Sequence, residues 1–234
     1  IILGLTCLFS YGIFWIIIYK KNQLIWSLPS FNNLGLKINE NLDIFISTLG
    51  SYIIFNGGII IVSNFVDDTE LGQFSLSQKV GAQLKLIPVF FIQSILQKVS
   101  IVDNDKKNAY INKVYFLGIL LTTFIFVLNI ILSKWIIYYF AGEFIPYSEN
   151  ILIMFSIIPL IAMLNFKNIM IMLVKEKNKI LNYAISISTL IMIFFSFIGS
   201  YSYGGYGLVL ALIISEFLSF FIHLYLIKNE EKFI

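Results

Sequence analysis

The chain has 234 residues, of which 59% are hydrophobic and only 12% charged, with a formal net charge of +3. Soluble domains carry about a quarter charged residues, so this balance excludes a soluble fold. Apolar runs of about 20 residues recur instead, each long enough to cross a hydrocarbon core, and no alternation of the transmembrane β-barrel kind appears.

An all-α polytopic membrane protein with seven transmembrane helices is therefore predicted, with spans at residues 1–19, 44–62, 74–96, 114–132, 151–174, 180–199 and 208–227. The first run lacks the basic leader and small-residue cleavage site of a signal peptide, and the chain opens on Ile1, so a piece of a longer protein is expected. The lone Cys7 lies inside that run and implies neither a disulfide framework nor a thiol pair.

Between the first two spans, residues 24–41 mix Trp26, Pro29, Asn32, Asn33 and Gly35, the composition of an interfacial connector. All sixteen basic residues are lysines, and they divide the loops unequally. Lys20, Lys21, Lys37, Lys98, Lys106, Lys107, Lys113, Lys175, Lys177, Lys179, Lys228 and Lys232 fall on one side, Lys134 alone on the other. The positive-inside rule makes the lysine-rich side, with the carboxyl terminus, cytoplasmic. The opposite loops are short and carry Asp67, Asp68, Glu70, Glu143 and Glu149, while Lys134, Trp135, Tyr138 and Tyr139 form an aromatic anchor at that surface.

The third span holds polar residues over about half its circumference. With Lys79 set to zero, Gln83 falls near +40°, Gln93 and Ser75 near −40°, Gln78 near −100° and Lys85 near −120°. Val80, Leu84, Ile87, Phe91 and Ile95 occupy the remainder. Measured from Phe74, Lys79 lies roughly 8 Å deep and Lys85 roughly 17 Å deep, so Lys85 needs an aqueous cavity or a partner. Lys79, Gln83, Lys85 and Gln93 are accordingly candidate cavity residues. Pro88, one turn on from Lys85, removes a backbone hydrogen bond and permits a kink, either a flexing point or ordinary packing.

In the seventh span Glu216 lies about 13 Å from Gly207, with Ser219 and His223 at i+3 and i+7 on the same face. Two readings stand side by side: a carboxylate that titrates with a coupling ion, or a fixed ion pair with Lys85 or Lys79. In the sixth span Asn182, Ser186, Thr189, Ser196 and Ser200 form a hydroxyl and amide stripe suited to helix packing or to hydrogen bonds with a sugar. No Walker loop, Ser/His/Asp set, metal-ligand spacing or nucleic-acid-binding stripe occurs. Neither catalytic residues, a metal nor a cofactor is expected, and nucleic acid is not an expected partner.

The segments Asn41-Leu-Asp-Ile-Phe-Ile-Ser, Thr69-Glu-Leu-Gly-Gln-Phe-Ser-Leu-Ser-Gln-Lys-Val and Gly204-Gly-Tyr-Gly-Leu-Val-Leu-Ala-Leu-Ile-Ile-Ser-Glu216 resemble the Wzx-type polysaccharide flippases of the multidrug/oligosaccharidyl-lipid/polysaccharide exporter superfamily. The resemblance implies a C-terminal six-helix bundle at 43–227 of a twelve-helix transporter, with 1–19 as the last helix of the first bundle, 20–42 as a cytoplasmic connector and 228–234 as a cytoplasmic tail. It implies a bacterial plasma-membrane protein that moves undecaprenyl-pyrophosphate-linked oligosaccharide repeat units for O-antigen (lipopolysaccharide), capsule or exopolysaccharide. Expected partners are that lipid-linked oligosaccharide, membrane lipids, and a polysaccharide polymerase and chain-length regulator. A multidrug or cation antiporter of the same superfamily, and an integral-membrane polymerase or acyltransferase, are the alternatives.

Overall fold

A computed structural model describes Leu42, Phe45, Ile46, Leu49, Gly50, Tyr52 and Ile53, then residues 56–102, 104–175 and 177–229. Internal contacts divide the chain into Ile1–Asn41 and Leu42–Ile234. The predicted first span, the connector and the last residues of the tail lie outside the described residues, as does part of the second span.

Among the described residues the regular structure is helical. A segment at 56–62 (α1) precedes α2 (Asp68–Ile101), α3 (Asn104–Ala141), α4 (Pro146–Phe155), α5 (Ile157–Val174) and α6 (Asn178–Lys228). Four helices are long and apolar enough to cross a membrane, with α4 and α5 counted as one. Large apolar side chains on α3 and α6 are exposed, among them Phe116, Ile131, Trp135 and Leu190, a surface suited to lipid. Over its described residues the protein is thus an all-helical membrane protein. The four spanning helices do not by themselves establish the predicted seven.

Local chemistry sets the boundaries. The Asp67 side chain accepts the Glu70 N–H at 2.7 Å, Asp68 and Glu70 occupy the positive first turn of α2, and Lys98 occupies its last. Gly142 ends α3 at φ 77° while its N–H reaches the Tyr138 carbonyl at 2.9 Å, a left-handed cap. Pro146 then starts α4. The joint at Ser156 has a cause three residues on: Pro159 has no N–H for the Phe155 carbonyl and its ring crowds that group. Pro88, by contrast, sits inside a single unbroken α2.

α6 is 51 residues long but breaks at Tyr203 and Gly204, the latter at φ 55° and ψ −134°. Glycine alone enters that region cheaply. Beyond the break the arms 178–202 and 205–228 fold back on one another. A Cβ on Gly199 would strike the Gly207 carbonyl oxygen, and one on Gly207 the Gly199 carbonyl, so the two backbones touch.

The α4–α5 rod is central, packed against α2, α3 and α6. One core gathers Val62, Phe74, Ile151, Phe155 and Leu208 near the acidic loops; a second gathers Val99, Ile111, Val114, Phe166 and Met170 toward the lysine-bearing loops. Met172, Ile180, Ala184 and Leu226 close the junction of α5 with both arms of α6.

Candidate functional site, a partly buried ion pair between α2 and α6

Lys85 and Glu216 meet inside the bundle, with Nζ 2.7 Å from Oε1 and side chains only 11% and 16% exposed. Gly81 and Ala82, one turn before Lys85, are small enough for α2 to lie against Phe155 and Ile158 of the central rod. Lys85 and Glu216 then reach across beside a void bounded by Gln78, Gly81, Ala82, Lys85, Phe155, Ile158 and Leu212. The void has a volume of about 10 Å³, enough for roughly one water. A lysine and a carboxylate in such a setting compensate one another, whereas either alone leaves a buried charge.

The polar file continues along the second arm of α6, toward the lysine-bearing end. His223, 2% exposed, has Nδ1 at 2.7 Å from the Ser219 carbonyl and 3.1 Å from Asn165 Nδ2, with the tautomer deciding which bond it makes. Asn168 donates to Asn165 Oδ1 at 3.3 Å, tying the file into α5. Nε2 of His223 is buried with no hydrogen-bond partner among the described residues. The shared face of Glu216, Ser219 and His223 follows from helical spacing alone; Asn165 as the partner across the interface does not.

The polar half of α2 is split in two. Lys85 turns inward together with Gln78, which is 9% exposed, while Lys79, Gln83 and Gln93 are exposed. The four candidate cavity residues are therefore not one constellation: three share an outer stripe, with Phe90 exposed among them, and Lys85 lies about a third of a turn away. Lys167 is exposed, as a lysine extending from α5 should be.

The sequence reading left Glu70 in a loop, yet it joins three elements. Its Oε1 accepts the Tyr147 hydroxyl at 2.6 Å and the Gly205 N–H at 3.3 Å. Nearby, Ser77 donates to the Ser148 carbonyl at 2.6 Å and Ser148 to the Gln73 carbonyl at 2.9 Å, fastening α2 to α4. Glutamate at the start of a helix announces a favourable dipole contact, but nothing in the local sequence names a tyrosine 77 positions away.

Comparison with protein-family models, with curated proteins and with solved structures finds no match.

Proposed function

We propose that this chain is the C-terminal bundle of an alternating-access flippase in the bacterial plasma membrane, with its carboxyl terminus cytoplasmic, that moves undecaprenyl-pyrophosphate-linked oligosaccharide repeat units. The observation that carries this reading is the pairing of Lys85 with Glu216 behind the exposed Lys79, Gln83 and Gln93 stripe on one spanning helix. The Gln83 amide, roughly 13 Å along the helix from Phe74, is costly against lipid, so the stripe is suited to a wet path facing another part of the transporter. A pyrophosphate and hydroxyl-rich sugars fit such a lining, the ammonium by charge and the amides by hydrogen bonds.

The ion pair supplies a device for coupling. Closed, the Glu216 carboxylate holds the Lys85 ammonium and α2 to α6; a coupling cation that replaced the ammonium at that carboxylate would loosen the two helices. Alternating access between two bundles needs such an element with two arrangements. A drug or cation exporter is less suited to a stripe whose charge is an ammonium.

Reconstituted full-length protein tests the reading. Flipping of a short-chain prenyl-pyrophosphate oligosaccharide in proteoliposomes is expected to fall roughly ten- to a hundredfold in Lys79→Ala and to be partly kept in Lys79→Arg. Full activity in well-folded Lys79→Ala would remove the stripe from the path.

A further inference from the structure

The first arm of α6 carries a second polar place, with a lining that shares no residue with the void beside the ion pair. Lys179, Asn182, Tyr183 and Ser186, with Ile46 of the preceding helical segment, bound a crevice of about 280 Å³. Their spacing, i, i+3, i+4 and i+7, sets all four on one helix face. Farther along the same arm, Ser188 and Thr189 are buried and return their hydroxyls to the carbonyls of Ala184 and Ile185 at 2.7 and 2.8 Å. The hydroxyl and amide stripe is therefore of two kinds: packed in its middle and open at the lysine-bearing end.

Among the described residues the hydrogen-bonding capacity at the open end is unspent. Asn182 Nδ2 is buried without a partner, and among the described residues neither Lys179, Tyr183 nor Ser186 has a side-chain hydrogen bond or ion pair. Each of the four groups can donate, and no acidic residue is among the described lining. An ammonium, an amide and two hydroxyls on the lining of one crevice suit a tetrahedral oxyanion, whose several acceptors each want a donor. From Lys179 to Ser186 the helix rises only about 10 Å, starting from its first turn, so the crevice lies at the lysine-bearing end of the arm, within reach of a lipid headgroup. Ile46 and Tyr183, 41% and 58% exposed, give it an exposed apolar flank.

We propose that this crevice binds a phosphate group, carried there by the headgroup of an anionic lipid. The lipid chains lie along Ile46 and Tyr183 while the phosphate takes the Lys179 ammonium and the Asn182 and Ser186 donors. The site stands independently of what the protein transports.

Detergent-purified protein, titrated and read by native mass spectrometry, tests this with three probes: dioleoyl phosphatidylglycerol, dioleoyl phosphatidylcholine and inorganic pyrophosphate. The wild type and Lys113→Gln, an exposed lysine elsewhere, are expected to prefer phosphatidylglycerol over phosphatidylcholine. Lys179→Gln and the double variant Asn182→Ala/Ser186→Ala, with unchanged melting curves, are each expected to lose that affinity on the order of tenfold. Pyrophosphate binding that falls in the same variants supports a phosphate group from a free anion as the occupant; phosphatidylglycerol binding alone supports the headgroup. If Lys179→Gln binds both anions as the wild type does, or if the wild type shows no preference for either over phosphatidylcholine, the proposal is wrong.

Discussion

The Glu70 carboxylate accepts the Tyr147 hydroxyl at 2.6 Å, and the same oxygen takes the Gly205 N–H at 3.3 Å. One side chain at the start of α2 thereby holds the start of α4 and the reversal within α6. Tyr147 also meets Tyr206 edge to face at 4.9 Å between ring centroids, so the acidic end of the bundle is a small polar and aromatic clasp.

Removing the hydroxyl alone isolates that contact. Tyr147→Phe is expected to lower stability by about 2 kcal/mol, because the partner is a partly buried charged acceptor. Glu70→Ala should cost more, since the Gly205 N–H loses its acceptor as well. Unfolding in mixed micelles with rising dodecyl sulfate fraction measures both; a Tyr147→Phe midpoint equal to that of the wild type would show the bond to be idle.

Breaking the interior ion pair from either side leaves a charge without compensation. Lys85→Met or Glu216→Leu is expected to cost about 3–5 kcal/mol, and the double variant less than the sum, with much of the folding recovered. Three variants in the same unfolding assay close the cycle. Strict additivity would mean that the 2.7 Å contact contributes no coupling.

The backbone reversal is equally specific. Gly204→Ala forces a side chain into a positive-φ position, at about 1–2 kcal/mol, and drives its Cβ toward Glu70 Oε1. Gly199→Ala places a methyl against the Gly207 carbonyl. Both are expected to reduce the yield of monodisperse protein on size exclusion, while Gly72→Ala, where a Cβ meets nothing within 4 Å, should not.

Topology rests on the lysine asymmetry and is open to a direct chemical check. In a Cys7→Ser background, single cysteines at Asp68 or the exposed Tyr203 are expected to react with an impermeant maleimide in intact cells, and those at Lys106 or Lys175 only after permeabilisation. Gly205 is unsuitable for such a probe, because a Cβ there collides with the Tyr147 hydroxyl. Labelling at Lys106 from outside would reverse the orientation.

Among the described residues, the helical class and the apolar segments long enough to cross a membrane were legible in the sequence, because length and apolarity are additive along the chain and need no knowledge of neighbours. Helical spacing likewise put Glu216, Ser219 and His223 on one face, and the depth of Glu216 left a lysine partner as one of two readings. Which lysine, and which polar residues face inward, required packing. A helical wheel gives angles about one axis but no direction to the bundle, so Lys79, Gln83, Lys85 and Gln93 formed one set until α2 was laid against Phe155 and Ile158. The clasp of Glu70 with Tyr147 and Gly205, the Asn165 partner of His223 and the open crevice beside Asn182 likewise come from elements distant in sequence, brought within hydrogen-bond reach only when the central rod and the two arms of α6 close around it. Hydrogen bonding and salt bridging act over about 3–4 Å, a separation that only the tertiary structure sets.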